Sequence, residues 1–351
     1  MKRTLLLVLI LLVAAGVAMA QKMDTVHFRG GNVYVGYVDA HRQPHGEGVF
    51  FYRDRKSRTE RYEGNFVHGQ REGHGVCYLF NGDRLEGEFE KDVLVSATWI
   101  KKSGDVYTGE LVDGKPEGHG RYHYATGSIY EGEFKDGQPE GEGVCTYANG
   151  DIFDGHWVHG RATHGVLKDA EGNSFEGSFA NGVPDGLCNV RYSNGDRYEG
   201  SMKNGQHQGR GTYRYASGDV YEGTWANNVP HGQGVLTRAN GNRYEGNFVN
   251  GELCGKVMIS YANGDTYEGE ELNGHHEGEG TFTFQKGDVY KGNWHLGRKH
   301  GLGTYTWNSG VNKGKRYEGQ WVNDRQNGHG KLYKDDKLVY DGMWENGKMV
   351  D

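Results

Sequence analysis

The feature that most constrains this chain is a period. An aromatic-x-Gly phrase returns at Tyr34, Tyr62, Tyr107, Tyr130, Phe153, Phe175, Tyr198, Tyr221, Tyr244, Tyr267, Tyr290, Tyr317 and Tyr340, with Leu85 in the same place once. Successive anchors stand 22 or 23 residues apart, except for steps of 28 after Tyr34 and 27 after Tyr290. A fixed period of this length means stacked copies of one supersecondary unit, because a single copy cannot bury its own apolar face.

The unit that starts at Tyr130 reads as two short strands. Period-2 alternation puts Tyr130, Gly132 and Phe134 on one face and Glu131 and Glu133 on the other. The second strand carries Gly141, Gly143, Cys145 and Tyr147 together. With residues 135–140 as the loop, Phe134 lies opposite Gly141 and Gly132 opposite Gly143, so the glycines leave room for rings to lie across the neighbouring strand. Asn-Gly pairs at Asn81-Gly82, Asn149-Gly150, Asn194-Gly195, Asn240-Gly241 and Asn263-Gly264 predict tight two-residue hairpins. One hairpin alone is marginal, so stability comes from stacking. The expected fold is all-β, a single-layer antiparallel β-hairpin solenoid of about fourteen repeats. Its roughly 28 strands at about 4.8 Å each extend over about 130 Å before coiling.

Composition agrees. Glycine is 60 of 351 residues and hydrophobic residues are only 35%, too few for one large layered core. Aromatic content of 12% excludes a solvating tail. Residues 1–20 read as a cleavable export signal: Lys2 and Arg3, an apolar run from Leu5 to Val17, then Ala18-Met19-Ala20 before Gln21. Its removal takes the charge from -7 to 47 acidic minus 38 basic residues, or -9. That balance argues against nucleic acid as a partner. A periplasmic or secreted, envelope-associated location is expected. Residues 21–33 read as a lead-in with a first strand, and 34–351 as the repeats.

The pattern Tyr-x-Gly-x-Phe/Trp-x-x-Gly-x-x-x-Gly-x-Gly resembles the MORN repeat. The Phe/Trp place is held by Phe66, Phe89, Phe134, Trp157, Phe179, Trp225, Phe248, Trp294, Trp321 and Trp344, and is lost at Val38, Leu111, Met202 and Glu271. A degenerate unit covers 85–106, where Asp92, Ser96 and Thr98 stand in place of glycines, and an irregularity is expected over 92–100. Insertions fall at 53–61 and 308–315. The resemblance implies a shallow concave face that holds a protein segment or brings a chain to a membrane. The repeats run to the last residues, so no attached catalytic domain is expected.

No Gly-x-x-x-x-Gly-Lys-Ser/Thr, Gly-x-Ser-x-Gly or His-Glu-x-x-His occurs. The acidic row Glu131, Glu199, Glu222, Glu245 and Glu268 has stacked neighbours about 10 Å apart. That is close to an inverting glycosidase pair, though a solvated face explains it as well. Of the 17 histidines, His45, His74, His119, His231, His300 and His329 fall beside the paired glycines, and His275-His276 alone is too little for zinc. No catalytic residue, cofactor or metal is expected. Cys77, Cys145, Cys188 and Cys254 lie at least two units apart and are expected as free thiols.

These features point to a non-enzymatic exported scaffold that binds a protein partner through groove aromatics Tyr130, Phe134, Trp157, Tyr198, Tyr221, Trp225, Tyr244 and Phe248. Phospholipid association through a basic loop of Arg53, Arg55, Lys56, Arg58 and Arg61 is one alternative. Stacking of the aromatics on glycans is another.

Overall fold

The computed structural model describes residues 22–350, and the proposed export signal lies outside them. Among the described residues there are twenty-nine strands and two single 3-10 turns, Arg55–Ser57 and Gly310–Asn312. The chain divides into two units, up to Ala148 and from Asn149 onward. The first runs from strand Lys22–His27 to strand Gln138–Thr146, the second from Ile152–Val158 to Lys348–Val350. Within each unit every strand pairs antiparallel with its neighbours in sequence, hairpin after hairpin. The fold class is therefore the one the period requires.

The hairpin of strands Ile129–Lys135 and Gln138–Thr146 differs from the expectation in one respect. Gly132 does face Gly143, but Phe134 faces Pro139 rather than Gly141, and the register slips in between. The loop is only Asp136-Gly137, with φ of 51° and 85°, the two positive angles of a type I′ turn. The residues saved from the loop form a bulge at 140–142, where Gly141 has φ 66°. The Asn-Gly pairs lie at the other end of the hairpin in longer turns. Asn194-Gly195 is one example, with Gly195 N–H donating to Tyr192 C=O and Tyr192 N–H to Asp196 C=O. There only the glycine takes positive φ.

The two glycines of each Gly-x-Gly pair therefore answer different demands. Gly141 supplies a backbone angle. Gly143 makes room for the Tyr130 ring, which lies flat along its own strand over the facing Gly132 and Gly143. In the equivalent place a Cβ on Gly120 would stand 2.5 Å from Tyr107 Oη. The flat ring is fixed by its hydroxyl, which donates to the carbonyl three residues on: Tyr107 to Glu110 at 2.8 Å, Tyr198 to Ser201 at 2.7 Å, Tyr290 to Asn293 at 2.8 Å.

Where the second glycine is missing, the flat tyrosine is missing too. Ala97 faces Gly87 beneath Leu85, Cys188 faces Gly177 beneath Phe175, and Val257 faces Gly246 beneath a Tyr244 whose hydroxyl has turned to Asn242. The irregularity expected over 92–100 is present: along strand Val93–Ile100 the register against strand Arg84–Glu90 slips between Leu94 and Ser96, and the other edge pairs only from Ala97 to Ile100.

Repeats are also stitched at both ends of their strands. At the longer turns a side chain accepts from the next repeat's backbone: Asp196 Oδ1 from Ala216 N–H at 2.7 Å, Asp219 Oδ1 from Ala239 N–H at 2.8 Å, Asn242 Oδ1 from Ala262 N–H at 2.9 Å. At the two-residue turns Gly205 N–H donates to Pro184 C=O and Gly251 N–H to Pro230 C=O. Turn groups that would otherwise face only water thus couple neighbouring copies.

Candidate partner-binding faces

Alternation gives each unit a ring face and a charged face. On the ring face Tyr130, Phe134, Trp157, Tyr198, Tyr221, Trp225 and Phe248 are buried, from 1% exposure at Tyr130 to 6% at Trp157, and Tyr244 is half-buried. They form the core, so as a groove surface these seven are corrected. The reason is geometric: where both places hold Phe or Trp, the tyrosine meets its own and the next repeat's edge to face. Tyr221 lies 5.0 Å from Trp225 at 85° and 5.1 Å from Phe248 at 84°. Tyr290 does the same with Trp294 and Trp321. Tryptophan N–H groups are satisfied by the previous repeat, as in Trp225 Nε1 to Gly211 C=O at 3.1 Å.

The aromatic surface lies one row further on. The second strand of many repeats ends in two same-face rings, and the outer one is only partly covered: Phe50–Tyr52 at 4.6 Å, Tyr122–Tyr124 at 4.4 Å, Tyr213–Tyr215 at 4.5 Å, Phe282–Phe284 at 4.7 Å, Tyr305–Trp307 at 4.7 Å. Burial pushes Tyr124 and Tyr305 up to about 12, so these phenols stay neutral hydrogen-bonding groups near pH 7. At Arg238, paired with Asp219 at 2.8 Å, the outer row lacks a ring. A depression opens there among Tyr215, Tyr221, Pro230, Leu236, Arg238 and Phe248. The signal for this row was the last alternating position after Gly-x-Gly, the place held by Tyr147.

One place at the start of the second strand holds proline at 44, 116, 139, 184 and 230, but His207, His276 and Lys299 in three other repeats, and there His207 stacks on Tyr198 and His276 on Tyr267. His276 lies between Glu271, 2.9 Å from its Nδ1, and Tyr261, 2.9 Å from its Nε2. Lys299 Nζ lies 5.0 Å from the Tyr305 ring centre, 5.1 Å from that of Trp321 and 5.6 Å from that of Tyr290.

The basic loop is shorter than expected, since strand Thr59–Val67 begins inside it. Arg61 belongs to that strand, 2.8 Å from Glu63 and stacked on Tyr78. Arg53, Lys56 and Arg58 are exposed, and Arg55 opens the 3-10 turn. The acidic row stands on the charged face, where Glu131 lies 3.9 Å from Arg121 and Glu245 2.6 Å from Arg243. Among the described residues no three metal-capable side chains converge, and no helix is long and apolar enough to cross a membrane. Cys77, Cys145 and Cys188 are buried, Cys254 is half-buried, and all four are free.

Solved structures that resemble the chain do so loosely. The TCP10 domain of Danio rerio CPAP, solved with a peptide of Danio rerio STIL, is 13% identical over 63% of this chain and 90% of its own, with a TM-score of 0.26. The virginiamycin B lyase of Staphylococcus aureus is 12% identical over 91% and 93%, with a TM-score of 0.13. Neither superposition is close enough to bear on function. The MORN repeat model, by contrast, matches twelve segments between residues 43 and 350, among them 107–129, 130–152, 198–220 and 267–289. With most of its length in those segments and the ring-over-glycine packing repeated along it, the chain belongs to the MORN-repeat family.

Proposed function

We propose that this protein is a non-enzymatic, exported scaffold whose ring face holds an extended segment of a partner protein. The observation that supports this reading is the half-covered outer row in the second unit, Tyr192, Tyr215, Tyr261, Phe284 and Trp307, with the depression at Arg238 between Tyr215 and Tyr261. Tyrosine and tryptophan offer apolar area with one polar tip, the chemistry enriched where proteins bind one another. The family's repeats are binding modules for proteins or membranes, and the leader-like residues 1–20 support a periplasmic or secreted, envelope-associated location.

Membrane phospholipid is the second reading, favoured by the exposed Arg53, Lys56 and Arg58. The test is photo-crosslinking from position 215 on the ring face and position 222 on the charged face in native envelope. A discrete protein adduct from 215 alone supports the scaffold. Adducts to lipid, or loss of the protein adduct on adding soluble glycans, overturn it in favour of membrane or carbohydrate binding.

A further inference from the structure

The charged face of the second unit carries a row of cations that its neighbours do not neutralise. Arg191 on strand Val183–Arg191 stands directly opposite Arg197 on strand Arg197–Lys203, and Arg197 directly opposite Arg214 on strand Gln206–Arg214. Strands lie about 4.8 Å apart, so three guanidinium stems leave the sheet in one line within about 10 Å. Lys168, opposite Ser174, which is itself opposite Arg191, extends the line. Like charges facing across strands are unfavourable, and a fold stabilised by this face alone has no use for three in succession.

A second observation sets the row apart. Five strands carry Arg-x-Glu near their start on this face of their unit, at Arg61, Arg84, Arg197, Arg243 and Arg316. In four of them the arginine closes onto its own glutamate: Arg61 on Glu63, Arg84 on Glu86, Arg243 on Glu245 and Arg316 on Glu318. Arg197 does not close onto Glu199. Among the described residues none of Arg191, Arg197 and Arg214 has an ion pair, and all three are exposed. The nearest row of acids, Glu176, Glu199 and Glu222, stands two residues further along its strands, opposite Asn189 and Thr212.

We infer that Arg191, Arg197 and Arg214 form a binding site for a phosphomonoester dianion. The stoichiometry selects the ligand. One carboxylate brings a single charge and two oxygens, enough for one fork. A phosphomonoester brings nearly two charges and three acceptor oxygens, which suits a central arginine with one on each side. The face is open, so the group is either a free phosphate ester or the headgroup of a lipid.

The test is calorimetric titration of the full protein with inorganic phosphate and with phenyl phosphate. A parallel arm uses co-sedimentation with vesicles containing phosphatidic acid or, as the diester control, phosphatidylglycerol. Binding that weakens about fivefold in Arg197→Gln and falls with added salt supports the site. Arg243→Gln, whose arginine is already paired, leaves the affinity unchanged. Binding of the soluble esters assigns the site to free phosphates, and binding only to phosphatidic acid assigns it to lipid. Because Arg197→Gln removes repulsion, its melting temperature is not lowered without ligand, which separates loss of the site from loss of fold. Equal titration of wild type and Arg197→Gln, or equal binding of a glutamate-rich peptide, overturns the inference.

Discussion

His207 lies face to face on Tyr198, with ring centroids 3.7 Å apart and planes 17° apart. It occupies the place that proline takes in other repeats, and its Nε2 is 2.7 Å from the Tyr192 hydroxyl. Its Nδ1 is buried beside Met202 with no partner. Burial pushes its pKa down from 6.5 to about 4.

Because the folded value is depressed, the unfolded chain binds more protons between pH 6.5 and 4. Stability therefore falls as the solution is acidified through that window and levels off below it. At 1.36 kcal/mol per unit the loss from this group is about 2 to 3 kcal/mol, the upper figure being a ceiling. Urea unfolding at pH 7, 5.5 and 4.5 should show it in the wild type. His207→Phe, which keeps the stacked ring, should be flatter with pH.

The two roles assigned to glycine separate by mutation. A Cβ at Gly280 would stand 2.5 Å from Tyr267 Oη and 2.6 Å from its Cε2, so Gly280→Ala should cost about 3 kcal/mol by overpacking. Ala97→Gly, in the repeat whose ring is replaced by Leu85, should cost no more than about 1 kcal/mol. Comparable losses at the two positions in denaturant melts would disprove the ring-over-glycine account.

Tyr290 tests the hydroxyl anchor. Tyr290→Phe removes only the 2.8 Å bond to the Asn293 carbonyl and should cost about 1 kcal/mol. Trp321→Ala removes a buried indole that meets both Tyr290 and Tyr317 and should cost about 3 to 5 kcal/mol. Melting curves of the two variants, measured together, give the order.

Thiol chemistry offers a check without mutation. Burial pushes the Cys145 thiol up to about 11 and raises Cys77 and Cys188 as well. These three should react slowly with a thiol reagent at pH 8, since the thiolate is the nucleophile. Half-buried Cys254 should lead, and all four should titrate in denaturant. Fewer than four would mean a disulfide and a different register.

The period made the repeat, its antiparallel hairpins and the facing of Gly132 and Gly143 readable from residue types alone. It did not reveal which rings are covered. Tyr130 and Phe134 vanish into the core because the Tyr130 hydroxyl turns back to the Glu133 carbonyl, a side-chain choice that alternation does not encode. The outer row was harder still, since its position holds Tyr215, Arg238, Tyr261, Phe284 and Trp307 in turn and so makes no motif. The loop length was misjudged for a related reason. Gly141 looks like a packing glycine until its φ of 66° places it in a bulge.

The edge-to-face ring contacts have a dynamic consequence. From Tyr198 to Phe248 they are continuous, and again from Tyr267 to Tyr340. Glu271 interrupts them, where the contact from Tyr244 would have landed, whereas past Met202 the path is carried from Phe175 through Tyr192 to His207 and Trp225. A linear array opens first at its weakest nearest-neighbour link. Amide exchange in this region should therefore divide into cooperative blocks with a seam at 271, so that a tug on one block is absorbed there before the next block loosens.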